Sequence, residues 1–364
     1  MDPPRPTITE ILQLCEKLGA SDVHLTGGTE PYMRVRGDVV RVSDEIITAP
    51  AMEQMAASLM SASQREEFVR ARSIDFAFTA DSGVRYRANV FRQRSTTAMS
   101  IRRLDNSFRS FQDLTLPQGL RELSEFPHGL VLVTGPTGSG KSTTLATLIH
   151  QINMQRRCHI ITIEDPLEFL HENQKALVRQ RELHTDVPTF AAAIRAALRE
   201  DPDVLLVGEM RDLETIRTAL VAAETGHLVF STLHTNDVVS TVSRIVTVFP
   251  AEEQNVAREQ VSRVLRAVVS QRMLLRQDAE GRVPAMEIMR VTPAVANLIR
   301  VGDLEQIYSV MQTGGNDGML LLEQSLAVLL SRGLISREEA LRVCRDPRIL
   351  DSRLRRVQEM RLAL

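Results

Sequence analysis

The chain has 364 residues, 43% of them hydrophobic and 25% charged, a composition typical of a globular protein of about two domains. Its 44 lysines and arginines are matched by 46 aspartates and glutamates, so no global positive field attracts nucleic acid, and aromatic residues, at 4%, offer few stacking platforms for single-stranded DNA. Three cysteines far apart in the sequence argue against a disulfide framework and against a cysteine-rich zinc site, so we expect a protein of the reducing cytosol. No apolar run reaches the roughly 18 residues that a membrane span needs.

The first predicted domain covers residues 1–104 and is a small α/β unit. Apolar residues at helical spacing predict helices over 9–18 and 50–72. Strand-type runs are predicted at 23–25, 32–35, 39–42, 74–79, 84–91 and 97–103. Over 105–118 the pattern loses its period, which indicates a linker.

The second predicted domain covers residues 119–364 and is larger. Its strand-sized apolar runs, at 130–133, 160–163, 204–207 and 228–231, alternate with helix-like stretches. Continuous apolar strands separated by helices predict a mainly parallel sheet covered on both faces. After about residue 255 the chain is predicted to be mostly helical.

The clearest motif directly follows the run at 130–133 and precedes a helical pattern. It fits the phosphate-loop pattern GxxxxGK[ST], whose glycines let backbone N–H groups curl around phosphates at the start of a helix. Lys141 is predicted to bridge the β- and γ-phosphates of ATP, and the hydroxyl of Ser142 is predicted to bind Mg²⁺. The predicted nucleotide-binding residues are Gly135, Pro136, Thr137, Gly138, Ser139, Gly140, Lys141, Ser142 and Thr143.

Acidic residues follow two of the other predicted strands. Glu164 and Asp165 come after the run at 160–163, at the strand end where open α/β sheets place their ligand chemistry. Glu209 follows the run at 204–207, an arrangement like a Walker B strand, and is predicted to hold Mg²⁺ directly or through water and to orient the attacking water. For Glu164 and Asp165 alone, a turn capped by solvated acids is the simpler alternative.

Histidines stand at both ends of the run at 228–231. His227 precedes this run and His234 follows it, so a polar strand end with His234 is placed to sense the γ-phosphate. A lone histidine is more often structural than catalytic, which is the alternative here. No third ligand stands nearby at a suitable spacing, so a zinc site is not predicted.

Arginines of the first domain lie on its predicted strands. Alternation along 84–91 places Arg85 and Arg87 on one face of the sheet, and Arg102 lies on the next strand. Guanidinium groups supplied by a neighbouring subunit stabilise charge on a transferring phosphoryl group. A solvated sheet face is the usual alternative for such arginines.

The chain carries four motifs in order: the phosphate loop, an acidic box (Glu164 and Asp165), the Walker B-like strand and a histidine box. This order resembles that of the type II/type IV secretion ATPase superfamily, the GspE/PilT family. Within it the chain resembles the PilT-type retraction ATPases of type IV pili. The segments that carry this finer resemblance are 197–203, 207–212, 223–227, 312–315 and 333–336, and 20–25 resembles the start of the family's N-terminal domain.

The resemblance implies a PAS-like N-terminal domain followed by a RecA-like ATPase domain with a helical C-terminal part. It implies a homo-hexameric, ATP-hydrolysing motor in the cytoplasm, peripheral at the inner membrane, that acts on a platform protein of the pilus. Extension-type relatives usually carry a tetracysteine zinc insertion after the histidine box. This sequence has none, which favours retraction over assembly.

The resemblance also implies a role for individual residues. Glu209 is the expected catalytic carboxylate and Glu164 its assistant. The remaining implied roles are delivery of arginines to a neighbour's nucleotide (Arg87 and Arg102) and coupling of nucleotide state to domain rotation (His227 and His234).

One segment departs from the family pattern. The family's retraction-linked segment reads Ala-Ile-Arg-Asn-Leu-Ile-Arg-Glu, whereas Ala296 and Val301 replace charged residues at 294–301 here. ATPase activity is expected to survive this change, while coupling to the pilus is open. The alternatives are an accessory or paralogous pilus or secretion ATPase, a nucleotide-binding regulatory subunit without turnover, and a DNA-translocating ATPase.

Overall fold

The computed structural model describes residues 7–104 and 108–362, which group into two compact units. One unit contains 7–104 together with 166–170, and the other contains 108–165 and 171–362. Of the predicted linker, 105–107 lie outside the described residues, and Phe111 is buried in the core of the second unit.

The first unit is an antiparallel sheet with three helices. Its elements are α1 (Ile8–Leu18), β1 (Asp22–Thr26), β2 (Tyr32–Val35), β3 (Asp38–Arg41), α2 (Ala49–Leu59), α3 (Ala62–Ala71), β4 (Ser73–Thr79), β5 (Arg85–Gln93) and β6 (Thr96–Arg103). The strand order is β3-β2-β1-β6-β5-β4, with every pair antiparallel. Its core surrounds fully buried Met33, Met52, Tyr86 and Met99.

The single helix predicted over 50–72 is wrong, because the structure has two helices there. Met60 is extended, with φ −98° and ψ 141°. Ser61 then starts α3 with a capping box, in which the Gln64 N–H donates to Ser61 Oγ at 3.3 Å and the Ser61 N–H donates to Gln64 Oε1 at 2.9 Å. A capping box satisfies N–H groups that a helix start leaves free, so it favours a new helix at this point.

The second unit is built on a seven-stranded sheet. Its strands are β7 (Gly129–Thr134), β8 (His159–Glu164), β9 (Leu177–Glu182), β10 (Val204–Val207), β11 (Leu228–Leu233), β12 (Leu265–Leu275) and β13 (Arg282–Arg290). They are ordered β13-β12-β7-β11-β10-β8-β9, and all neighbours are parallel except β12 and β13. The predicted α/β class with a mainly parallel sheet is confirmed.

Helices cover both faces of this sheet. They are α4 (Lys141–Gln155), α5 (Phe190–Ala197), α6 (Leu213–Glu224), α7 (Val238–Thr247), α8 (Gln254–Val264), α9 (Pro293–Val301), α10 (Ile307–Thr313), α11 (Leu322–Ser331), α12 (Arg337–Val343) and α13 (Pro347–Leu362). Alternate residues of β7 join two cores: Leu130 and Leu132 pack with α5 to α8, while Val131 and Val133 pack with α4. Burial on both faces explains why the strands are continuous apolar runs.

The prediction that the chain is mostly helical after residue 255 is wrong for 265–290. Strand β12 lies between β7 and β13, and most of its side chains are buried, so it lacks the alternation that marks a strand. Strand β9 was not predicted because it is an edge strand with charged side chains. No helix in the described ranges is long and apolar enough to cross a membrane.

Candidate functional site

The carboxyl ends of the parallel strands meet at one edge of the second unit's sheet. Thr134 of β7 pairs with Leu233 of β11, and Ser231 of β11 pairs with Val207 of β10. Two residues beyond Val207, Glu209 is therefore level with Thr134, where the phosphate loop starts. Since only β11 separates β7 from β10, the two backbones are about 10 Å apart, or two strand spacings.

The phosphate loop needs glycine where it approaches β12. Gly135 has φ +144°, and a Cβ there would lie 2.2 Å from the carbonyl oxygen of Gln271. Gly140 has φ +83°, and a Cβ there would lie 2.9 Å from Gln271 Nε2. Side chains at these positions would force the loop away from the sheet, so the glycines of the motif fix the loop against β12.

The inside of the loop carries donors suited to a polyphosphate. Lys141 is buried, and its Nζ donates to the carbonyl oxygens of Gly135 at 2.9 Å and Pro136 at 3.0 Å. Ser139 Oγ is buried and finds no hydrogen-bond partner within the described ranges. Helix α4 starts at Lys141, and no described side chain caps it. A helix start, an ammonium group and an unsatisfied hydroxyl together fit phosphate oxygens.

Glu209 lies between two basic side chains. Its Oε1 is 2.5 Å from Arg211 Nε and its Oε2 is 3.6 Å from His234 Nε2. The Glu209 side chain is 13% exposed, whereas that of Arg211 is 72% exposed. The carboxylate is thus held at the sheet edge, and the cation that pairs with it stays in contact with solvent.

Glu164 ends β8, the strand next to β10. Its Oε1 accepts a hydrogen bond from the Thr162 hydroxyl at 2.7 Å. The Gly208 N–H donates to the Ile163 carbonyl at 2.8 Å, and a Cβ on Gly208 would lie 3.3 Å from the Glu164 Cα. Gly208 therefore lets the two acidic strand ends lie side by side, and Asp165 beyond them is exposed.

The two histidines of the histidine box lie at opposite ends of β11. His234 is at the carboxyl end, next to Glu209. His227 precedes the amino end, where its Nδ1 lies 2.9 Å from the Ala222 carbonyl oxygen and 3.2 Å from Thr225 Oγ1. Six strand residues span about 20 Å, so within one chain His227 is remote from Glu209.

The predicted arginines lie on the sheet of the first unit. Arg87 Nε is 3.8 Å from Asp75 Oδ1, and Arg102 Nε donates to Asp22 Oδ1 at 2.8 Å. Burial raises the pKa of Asp22, but hydrogen bonds from Arg102 and Ser21 outweigh it and leave that pKa below its usual value. Both guanidinium groups keep a large exposed fraction, 45% for Arg87 and 70% for Arg102.

A model of the type II/IV secretion system protein family matches residues 2–342 of the chain. The chain belongs to this family. The match includes the phosphate loop and both acidic strand ends, so the site described above lies within the part of the chain that defines the family.

Two relatives and one solved structure illustrate the similarity. The type IV pilus retraction ATPase PilT of Pseudomonas aeruginosa is 47% identical over 340 residues, covering 93% of this chain and 98% of PilT. The type IV pilus ATPase PilU of the same organism is 35% identical over 332 residues, covering 91% of this chain and 87% of PilU. A crystal structure of the pilus retraction motor PilT with bound ADP superposes with a TM-score of 0.89 at 44% identity, covering 96% of this chain and all of that one (100%).

The segment that departs from the secretion ATPase pattern forms α9. Val301, the last residue of this helix, is 63% exposed, and Ala296 is half-buried. Gly302 ends the helix in the left-handed region, with φ +83°. The departures at Ala296 and Val301 therefore change the exposed face of α9 more than the face that packs on the second unit.

Sequence reasoning missed Gln271 and Arg211, which contact the phosphate loop and Glu209. Gln271 Nε2 donates to the Ser139 carbonyl at 2.7 Å, and its Oε1 accepts from Thr144 Oγ1 at 2.8 Å. The only signal in the sequence was a polar residue inside an apolar run that was interpreted as helix. Arg211 was part of a recognised segment, but its pairing with Glu209 follows from the turn after β10.

Proposed function

We propose that this chain is an ATP-hydrolysing motor that powers retraction of a type IV pilus, the basis of twitching motility. The observation that carries the proposal is the alignment of the phosphate loop and Glu209 at one edge of a parallel sheet. That edge is where open α/β sheets bind their ligands. Membership of the secretion system protein family and the 47% identity to the pilus retraction ATPase PilT support this function.

The phosphate loop binds and orients the nucleotide. Backbone N–H groups of the loop and of the start of α4 donate to the phosphates, and the Lys141 ammonium neutralises charge on the β- and γ-phosphates. Ser139 Oγ, which lacks a partner in the described structure, donates to a phosphate oxygen. Because hydrolysis needs little covalent chemistry from the protein, fixing the phosphates supplies much of the catalysis.

Oxygen donors at the loop and at β10 suit Mg²⁺. The Ser142 hydroxyl is exposed at the start of α4, and the Glu209 carboxylate is at the same edge of the sheet, so these two residues would hold the ion, Glu209 directly or through water. Bound there, Mg²⁺ would neutralise charge that develops on the phosphate oxygens. Glu209 also accepts a hydrogen bond from the attacking water and orients it, with Glu164 on the neighbouring strand assisting.

We further propose that the motor is a homo-hexamer. Arg87 and Arg102 of one subunit would then neutralise charge on the nucleotide of the next, as arginines do in other phosphoryl-transfer sites. His234, which already contacts Glu209, reports the state of the site to the chain that follows β11. His227, remote from the site of its own chain, is assigned to the same coupling across the subunit boundary.

In the cell we place the motor in the cytoplasm, at the inner membrane, where it acts on the platform protein of the pilus. Rotation of that platform removes pilin from the base of the filament. A regulatory subunit without turnover is the other functional class, and Lys141, Glu164 and Glu209 together favour hydrolysis over binding alone. The near-neutral charge of the chain disfavours a DNA translocase.

Steady-state phosphate release tests the enzymatic part of the proposal. Glu209→Ala and Lys141→Ala are expected to lower kcat by about 100-fold or more, because each removes a group that acts on the transferring phosphate. The matched control is Glu214→Ala, an exposed acid of α6 that pairs with Arg195 and is expected to keep wild-type turnover.

Equal phosphate release by wild type and Glu209→Ala would refute hydrolysis at this site and leave the regulatory class. Stimulation of several-fold by single-stranded DNA would instead support translocation. The pilus part is tested in cells: a deletion strain is expected to extend pili that fail to retract, and complementation with Glu209→Ala is expected not to restore retraction.

A further inference from the structure

Gln271 joins β12 to the phosphate loop and to the start of α4, on either side of Lys141. Gln271 is 2% exposed, and both polar atoms of its side chain form hydrogen bonds. Its Nε2 donates to the Ser139 carbonyl at 2.7 Å, on the loop before Lys141. Its Oε1 accepts from the Thr144 hydroxyl at 2.8 Å, on the first turn of α4 after Lys141. One amide group therefore holds the two segments that flank the phosphate-binding lysine.

The backbone of Gln271 also contacts the loop closely. Its carbonyl oxygen lies 2.2 Å from the position that a Cβ on Gly135 would take, and its side-chain Nε2 lies 2.9 Å from the corresponding position at Gly140. The loop glycines and Gln271 are thus complementary: glycine allows the approach, and the amide then fixes it. Between them they determine the path of the loop from Gly135 to Thr144.

The residues on either side of Gln271 hold the other loop of the site. Ser270 Oγ donates to the Asn236 carbonyl at 3.0 Å, and Arg272 Nη2 donates to the same oxygen at 3.2 Å. Asn236 follows His234 by two residues. Because side chains alternate along a strand, three consecutive residues of β12 reach both the phosphate loop and the histidine segment.

Packing alone does not account for an amide at this position. A buried amide must find partners for both of its polar ends, whereas an apolar side chain in the same core has no such requirement. At Gln271 the two oxygen partners belong to the nucleotide loop and its helix, and the remaining contact is a long one from Nε2 to Met273 Sδ at 4.0 Å. The requirement for a glutamine thus comes from the loop that it holds.

We propose that Gln271 is a positioning residue that holds the phosphate loop in its nucleotide-binding conformation. The inference rests on the proposed function, since it concerns the nucleotide site of the motor. Without the amide, the Ser139 carbonyl and the Thr144 hydroxyl lose their partner, and the loop samples other paths. Nucleotide then binds less tightly, and the phosphates that do bind are less well oriented for hydrolysis.

The test compares two buried glutamines of the second unit in the intact chain. Gln271→Leu is expected to raise the dissociation constant for ADP and the KM for ATP by about tenfold, and to lower kcat as well, because two buried groups lose their hydrogen bonds. Gln151→Leu is the matched control. Gln151 is also buried, on α4, and donates to Ser124 Oγ at 2.9 Å and to the Arg121 carbonyl, away from the loop. The Gln151→Leu variant is expected to have a lower melting temperature and an unchanged KM for ATP.

A double-mutant cycle tests whether Gln271 and Thr144 affect ADP binding through the hydrogen bond between them. Thr144→Val removes the hydroxyl that Gln271 accepts from, and the double variant Gln271→Leu/Thr144→Val is expected to bind ADP no more weakly than Gln271→Leu alone. Thr144→Ser, which keeps a hydroxyl, is expected to retain wild-type affinity.

The proposal is overturned if Gln271→Leu keeps the wild-type ADP affinity and KM, or if Gln151→Leu raises KM equally. It is also overturned if the effects of the two single variants multiply. ADP binding separates this result from a failure of the proposed function: a wild-type chain that does not hydrolyse ATP refutes the motor, whereas unchanged ADP affinity in Gln271→Leu refutes only the positioning role.

Discussion

At the residue scale, a stack of aromatic rings in the second unit includes two histidines that are not part of the candidate site. The Phe108 ring lies 4.4 Å from the His150 ring, nearly parallel at 6°, and 4.6 Å from the His171 ring. Burial, and next the positive charge that His150 can carry, lowers the pKa of His171 to about 4. His171 Nδ1 is buried and has no partner within the described ranges. A neutral ring suits this apolar site.

The stack makes the second unit sensitive to acid. The unfolded chain protonates His171 near its ordinary pKa of 6.5, whereas the folded chain does so only near 4, so stability is lost as pH falls between these values. For this group alone we expect about 2 kcal/mol less free energy of unfolding at pH 5 than at pH 7.5. Urea unfolding at both pH values measures it.

His171→Leu removes the titrating ring and is expected to flatten the pH dependence by that amount. His128→Leu, which replaces an exposed histidine, serves as the control and should follow the wild-type profile. If wild type and His171→Leu lose the same stability between the two pH values, the titration of His171 is not the cause.

Which site residues the sequence predicts depends on how far away their partners are. The phosphate loop, Glu164 and Glu209 all follow apolar runs, and each needs only its own strand and turn to be placed. Gln271 depends on Ser139 and Thr144, more than 120 residues earlier in the chain, so local pattern cannot place it. The sequence does place His227 and His234 at opposite ends of β11, because they directly flank its apolar run.

At the scale of elements, continuous apolar runs predict the four parallel strands that carry the site, and the prediction fails where no turn separates a strand from the preceding helix. Strands β7, β10 and β11 are continuous apolar runs bounded by polar ends. Strand β12 is equally buried but continues directly from helix α8, which ends at Val264, so no turn separates the two patterns. The element missed in this way carries Gln271.

Helix α9 offers a test of how the motor is coupled to the pilus. Val301→Glu restores the charge that the secretion ATPase pattern has at this position. Because Val301 is 63% exposed, we expect a stability change within about 0.5 kcal/mol and phosphate release within about twofold of wild type. If α9 takes part in coupling, the rate of pilus retraction changes while ATP turnover does not.

The control for this helix is Val256→Glu, at a valine of α8 that is 68% exposed. It should leave both turnover and retraction at the wild-type level. An unchanged retraction rate in Val301→Glu, or an equal change in the two variants, would argue that α9 has no role in coupling.

At the scale of the whole molecule, the machinery proposed for catalysis is divided between the two units of the chain. The phosphate loop, Glu164 and Glu209 share one edge of the second unit's sheet. The arginines proposed to act on the nucleotide, Arg87 and Arg102, belong to the first unit and keep exposed guanidinium groups. A ring of identical subunits would bring the two sets together at every subunit boundary.

Mixing two inactive variants tests whether the arginines act across that boundary. Arg102→Ala and Glu209→Ala are each expected to lose most phosphate release alone. If Arg102 acts on a neighbour, a boundary between an arginine-bearing Glu209→Ala subunit and an Arg102→Ala subunit with intact Glu209 restores one complete site. Random mixing at equal amounts then recovers about a quarter of the wild-type sites.

If Arg102 acts within its own chain, every subunit of the mixture lacks one group, and phosphate release stays at the level of the separate variants. Mixing Glu209→Ala with Lys141→Ala is the control, because both residues lie in one chain's site and no boundary can restore it.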